Sequence, residues 1–226
     1  MNKKGISHIE MILSFVIFMG FLIFVLSIFQ PFKTEEKGDI NLDTLEREIL
    51  DKIVVNVESF SINLVSKKDC FYFPYSTDKV AVKDEDGEIV EGYSSGGNIF
   101  IRSSKQFFYI YSSNEFIEKS FSGSCNALKE TDYSLGLFKT LKMASSIKLE
   151  QLQQDYTQDY ENTKKVLEIP ASQEFSFSVR DTLGTNLLGV EKQVPRTEKV
   201  LARDVPIQIS YPDGNFKYAV LNIRTW

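Results

Sequence analysis

The chain opens with MNKKGISHIEMILSFVIFMGFLIFVLSIFQ, residues 1–30, and the reading of this stretch decides the rest. From Met11 to Phe29 there is no charge, and only Ser14, Gly20 and Ser27 interrupt the apolar side chains. Those nineteen residues, as a helix rising about 1.5 Å per residue, reach roughly 28 Å, close to the ~30 Å hydrocarbon thickness of a bilayer. The run therefore predicts a transmembrane helix over residues 6–30. Lys3 and Lys4 precede it, whereas Lys33, Glu35, Glu36, Lys37 and Asp39 mix both signs behind it. The positive-inside bias then predicts a single pass, with the N-terminus cytoplasmic and the C-terminal domain extracellular.

Glu10 stands at the start of the apolar run, five residues after Gly5. An ionised carboxylate costs about 2.5–3.5 kcal/mol at the centre of a span and less at its edge, so this acid calls for a partner. A cut between Gly5 and Ile6 supplies one, the new α-amine of Ile6. At 4 Å and an effective dielectric near 20, the two charges attract by roughly 4 kcal/mol before desolvation. Within one helix the Ile6 amine and Glu10 sit a turn apart. Between staggered subunits, the same pair would pin the register of one chain on the next. An uncleaved signal anchor is the plain alternative. A secretory peptide would have a shorter apolar region and a small-residue cleavage site behind it, and here Gln30-Pro31-Phe32-Lys33 follows instead.

Lys3-Lys4-Gly5, a cleavage point, four residues and then Glu10 ahead of a long apolar helix resembles the class III signal of type IV pilins, pseudopilins and archaeal pilin-like proteins. The resemblance covers about the first thirty residues. It implies a leader (1–5) removed by a prepilin peptidase, storage of the precursor in membrane lipid, and assembly into a filament with other pilin-like subunits. An assembly ATPase and a membrane platform would drive that assembly. Ile6 replaces the usual Phe, His8 a usual Leu, and Ser27 the helix-kinking Pro, with Pro31 four positions later. These departures lean towards the archaeal pilin-like proteins, and the closing run from Val200 to Trp226 is similar to C-terminal strands of that group.

Beyond the helix, residues 31–41 read as a charged hinge and 42–226 as one extracytoplasmic domain. The chain carries 26 Lys plus Arg and 31 Asp plus Glu, and loss of Lys3 and Lys4 would take the net charge from -5 to -7. No stretch clusters Lys or Arg as a phosphate-binding surface requires, so general nucleic-acid binding is not expected. The two cysteines, Cys70 and Cys125, both fall in this region. Outside the cytoplasm a disulfide is their default state, and two free buried thiols are the alternative. Neither has the spacing of a metal or redox site.

Asp43-Thr44-Leu45-Glu46 reads as a capping box, with Leu45, Ile49 and Ile53 on one face of a helix over 42–55. Alternation at Phe60, Ile62 and Leu64 marks a strand, and short hairpins follow to about Leu141. Among them, 99–102 and 106–111 are expected to pair around Ser103-Ser104-Lys105. The aromatic series Phe107, Phe108, Tyr109 and Tyr111 admits a stacking surface for sugars or bases, against the simpler reading of rings that face a core. A second helix is expected from Ser146 to about Leu167 with an apolar stripe at Leu149, Leu152, Tyr156, Tyr160 and Thr163. Residues 175–179 alternate as a strand, 181–198 read as a mobile loop, and 205–211 with 216–224 form the strongest hairpin signal, around Pro212-Asp213-Gly214-Asn215.

His8 is the only histidine, so the domain offers no Ser-His-Asp, Cys-His or His-metal constellation. Asp84, Glu85 and Asp86 cluster in a turn, where a loop Ca²⁺ site competes with simple solvation. No catalytic, cofactor-binding or metal residue is assigned, and no enzymatic activity is expected. The expected fold class is α+β: a transmembrane helix, then a mainly antiparallel β domain with two packed helices. The expected function is that of a pilin-like structural subunit, in a minor or tip position as readily as a major one. The alternative is a membrane-anchored extracellular binding or adhesion domain that does not polymerise.

Overall fold

A computed structural model describes residues 6–29, 42–120, 122–190, 192–194 and 199–226, and within 6–29 the described side chains are those of 11–24. The chain divides into two compact units, 1–39 and 40–226. The first contains helix α1 (Ile6–Phe29). The expected leader 1–5 and hinge 31–41 lie outside the described residues.

Among the described residues no helix is long and apolar enough to cross a membrane. This overturns the transmembrane helix expected over 6–30, and with it the single-pass placement of a cytoplasmic N-terminus and an extracellular domain. The expected α+β class is corrected too. The fold is mainly β, with thirteen strands in a mixed sheet and four helices among the described residues.

The second unit begins with α2 (Leu42–Ile53), which runs directly into β1 (Val54–Leu64). Three short strands follow: β2 (Cys70–Pro74), β3 (Val80–Asp84) and β4 (Ile89–Ser95). Next come β5 (Asn98–Arg102), β6 (Phe107–Ser112), the two-residue β7 (Asn126–Ala127), β8 (Tyr133–Leu135) and β9 (Lys139–Ser145). Helices α3 (Ser146–Gln158) and α4 (Tyr160–Val166) precede β10 (Phe175–Asp181), β11 (Asn186–Val190), β12 (Leu201–Ser210) and β13 (Phe216–Thr225). The strand order is β11-β10-β13-β12-β9-β1-β6-β3-β4-β5-β2-β7, with β8 also on β1. Two pairings are parallel, β12 with β9 and β2 with β7.

Strand β1 organises this sheet, because its two faces serve different cores. Val57 packs with Ala81, Phe116 and Met143 on one side. Phe60, Ile62 and Leu64, displaced by an odd number of residues, face the other, as the period of two requires. There they share a core with Phe71 and Phe73 of β2, Ile99 and Ile101 of β5, and Phe108 and Ile110 of β6. The Phe71 and Phe108 rings meet at 5.6 Å, so the strand path folds back on itself at this end. At the other end α2 and α3 cover the sheet, with Leu45, Ile49, Leu149 and Leu152 against Phe175, Phe177, Leu221 and Ile223.

Several local expectations are revised. The single helix over 146–167 breaks at Asp159 (φ -147°, ψ 80°), which ends α3 and accepts from the Asn162 amide to start α4. A short polar side chain that bonds its own backbone competes with the helix at that point. Asp43 and Glu46, the residues of the expected capping box, both meet Arg203 of β12. Strands β5 and β6 do not pair with each other: β5 joins β4 and β2, while β6 joins β1 and β3. The loop over 181–198 contains β11, which returns through a turn with Gly184 at φ +85°. The C-terminal hairpin stands as read, with β12 and β13 paired from Leu201↔Thr225 to Ser210↔Phe216.

Candidate functional site

The residues singled out in the sequence fare differently. Gly5 lies outside the described residues. Ile6 and Glu10 fall within α1, and their side chains lie outside the described set, as does the pairing of Glu10 with the Ile6 amine. Cys70 and Cys125 are joined in a disulfide with Cα atoms 4.8 Å apart.

Along α1 every described side chain from 11 to 24 is exposed. Phe15, Ile17, Phe21, Ile23 and Phe24 each show more than half of their surface. An apolar helix normally presents one stripe to a core and polar groups elsewhere, whereas here bulky apolar residues occupy all sides. The second unit does not share this character, because its cores are closed by its own elements.

The disulfide closes a strap. This strap lies between the end of β6 at Ser112 and Cys125, which is bonded to Cys70 at the start of β2. Along the strap, Phe116 is 1% exposed in the third core beside Phe216. The Ile117 amide donates to Pro212 O at 2.8 Å, and Ser145, the N-cap of α3, donates from Oγ to Glu115 Oε2 at 2.8 Å. One segment thus touches the C-terminal turn, the start of α3 and the edge of the sandwich.

A second cluster surrounds Glu174. Lys164, 2% exposed, donates from Nζ to Ala171 O at 3.0 Å and lies 3.6 Å from Glu174 Oε1. Tyr160 donates to Glu174 Oε2 at 2.6 Å and accepts from the Phe175 amide at 3.0 Å, while Lys192 bridges to the same carboxylate. Burial alone would raise the pKa of Glu174, but bonds from Lys192 and Tyr160 and the charge of Lys164 outweigh it and hold the carboxyl below its ordinary range. Burial pushes the Tyr156 hydroxyl up to about 12, opposed by its bond with Tyr160 and helped by Glu174. Glu174 also exchanges both backbone bonds with Trp226, so the cluster fastens the last residues of the chain.

The aromatic series splits between faces. Phe108 is fully buried in the sandwich core, whereas Phe107 and Tyr109 pack edge to face at 4.9 Å on the outer side. A second row, Tyr93, Phe100 and Tyr72, stacks ring on ring at 4.7 and 5.0 Å across β4, β5 and β2. Rings stacked at the strand spacing use their faces on one another and present edges outward. In the acidic turn, Asp84 Oδ1 accepts from the Asp86 and Glu88 amides, and Lys105 meets Glu85 and Asp86. Among the described residues no group of three or more His, Cys, Asp or Glu side chains is placed to hold a metal ion.

What sequence reasoning missed is a polar cleft of about 740 Å³ between the two larger cores. On the face of β1 that carries Val54 at the helical end and Phe60 at the sandwich end, Asn56 and Glu58 lie uncovered. Glu58 faces Ser112 of β6 on one side and Thr140 of β9 on the other. Asp78, Asn114 and Glu115 add to the lining, and Thr77 and Ser112 share a hydrogen bond between their hydroxyls. Glu58 also borders a smaller pocket of about 180 Å³ with Tyr75 and Phe138. Burial, then the charge of Glu58, raises the Tyr75 hydroxyl above its usual pKa. The signal in the sequence is faint: two polar residues, Asn56 and Glu58, on the apolar parity of one strand. Comparison with protein families, with curated proteins and with solved structures finds no match for this chain.

Proposed function

We propose that this chain is a pilin-like structural subunit that assembles with copies of itself or related subunits through α1. One observation carries the reading: α1 exposes bulky apolar side chains on every side. A helix apolar all round is stable in water only when other apolar surface covers it, and a bundle of the same helices supplies that surface. The Lys3-Lys4-Gly5…Glu10 arrangement supports it, since removal of the leader would leave an Ile6 amine for the acid of a neighbour. In this reading a prepilin peptidase makes the cut, and an ATPase-driven platform adds the subunits.

Mass spectrometry of the protein from its own cells tests the reading at its root. The mature chain should begin at Ile6; a chain that retains Met1 to Gly5 removes the proposal. Glu10→Val should leave cleavage intact and reduce filament yield on the order of tenfold or more, since loss of an attraction of a few kcal/mol acts on every subunit joint. Filaments of normal number and length in that variant would refute the pairing role of Glu10.

A further inference from the structure

The cleft on β1 has the composition of a site for a polyhydroxylated ligand. Its lining is rich in hydroxyl, amide and carboxylate groups. Among the described residues, the side chains of Asn56, Glu58 and Asn114 take no hydrogen bond, and all three are exposed. Its volume of about 740 Å³ falls in the range of roughly 300–1,000 Å³ usual for small-molecule sites. Most such sites are largely apolar. A cleft lined this way suits a ligand whose own hydroxyls must each regain a partner on leaving water.

The adjoining aromatic pocket adds the second half of the recognition. Phe138 stacks on Phe60 at 4.8 Å with 26° between the planes, and on Tyr75 at 5.8 Å. Phe60 is buried beneath it, yet Phe138 is 50% exposed, which leaves the outer ring face open. Because Glu58 borders both cavities, an aromatic face and a carboxylate lie side by side. A pyranose ring needs this pair: its axial C–H face packs on an aromatic ring, while vicinal hydroxyls donate to the two oxygens of one carboxylate.

We propose that this cleft binds an uncharged oligosaccharide, with one sugar ring on Phe138 and the next hydrogen-bonded by Glu58, Asn56 and Asn114. Charge decides against a polyanion. Across the two cavities Glu58, Asp78 and Glu115 outnumber Lys139 and Lys148, and the Lys148 Nζ donates to Val54 O at 3.4 Å. The proposal stands on the cleft alone and holds whether or not α1 builds filaments.

The test uses the full chain, kept dispersed in a polyoxyethylene detergent that carries no sugar head group. Calorimetric titration is run with cellotetraose, chitotetraose, mannotetraose and maltotetraose, with tetragalacturonate as the acidic control and CaCl₂ alone as the cation control. At least one uncharged tetrasaccharide should bind with a Kd on the order of 1 mM or tighter. Phe138→Ala and Glu58→Gln should each weaken it about tenfold, while Leu183→Ala, at a distant exposed turn, should not. Glu58→Gln is isosteric and exposed, so it separates recognition from any effect of Phe138→Ala on packing. Absence of binding to all four tetrasaccharides at 10-fold that concentration, equal binding of tetragalacturonate, or affinity unchanged in both variants would each overturn the proposal. A calorimetric response to CaCl₂ alone that Glu58→Gln abolishes would overturn it in favour of a cation site.

Discussion

At the scale of the residue, the most consequential group outside the cleft is Glu174. Lys164 is 2% exposed and has one other acceptor, Ala171 O, so neutralising Glu174 leaves a buried ammonium with half its compensation. Glu174→Gln should therefore cost roughly 1–3 kcal/mol at pH 7, less than a fully buried pair would, because the carboxylate is partly hydrated. The sign with pH follows from the direction of the shift. The folded pKa lies below the ordinary 4.5, so the contribution is fully present above that value and is lost as pH falls through the folded pKa. Urea unfolding at pH 7 and at pH 3 checks this: the gap between wild type and Glu174→Gln should narrow at the lower pH. An equal gap at both would mean that packing, not charge, accounts for the loss. Little of this was legible beforehand, since Lys164, Glu174 and Lys192 lie on three separate segments and only the fold brings them to one carboxylate.

At the scale of the element, legibility followed the range of the interaction that decides each outcome. The C-terminal hairpin was plain because Pro212-Asp213-Gly214-Asn215 fixes its turn locally, with Gly214 at φ +92°. An added Cβ there would also fall 2.3 Å from Ala81 Cβ, so the turn residue is fixed twice over. Helix α2 and its buried face at Leu45, Ile49 and Ile53 were equally plain from spacing. The pairing of β5 and β6 was not, because adjacency in the chain suggested a hairpin and long-range partners on β1, β2, β3 and β4 prevailed. The transmembrane expectation for residues 6–30 is overturned at this scale too, since no helix among the described residues is long and apolar enough to cross a membrane. The strap at 113–125 depends on a long-range covalent constraint, the Cys70–Cys125 bond across a separation of 55 residues. On the chain-entropy account, closing such a loop stabilises the fold by about 4 kcal/mol. Replacing both cysteines by serine should cost roughly 2–4 kcal/mol in urea unfolding and open the strap to proteolysis between Ile117 and Ser124. A variant as stable and as protease-resistant as wild type would show that Phe116 and its contacts hold the strap unaided.

At the scale of the whole molecule, the two units differ in surface character. Among the described residues, the three cores of the second unit draw their members from 42–223. A unit with closed cores of its own folds without the rest, so removal of residues 1–39 should leave its unfolding free energy within about 1 kcal/mol. Solution behaviour should change far more. With α1 present, the exposed run of Phe15, Ile17, Phe21 and Phe24 has no polar face to limit association, and contiguous apolar surface of that kind drives copies together. Without it, the net charge of the remainder favours a monomer. Analytical ultracentrifugation of the two chains in the same buffer separates the cases. Residues 40–226 should sediment as a monomer at concentrations where the full chain associates, and detergent should disperse only the full chain. Persistent association of the shorter chain would place the assembly surface on the β domain and remove α1 from the centre of the functional reading. The saccharide cleft, built wholly from residues 54–148, should bind identically in both chains, which makes retained binding the measure that the shortened domain is native.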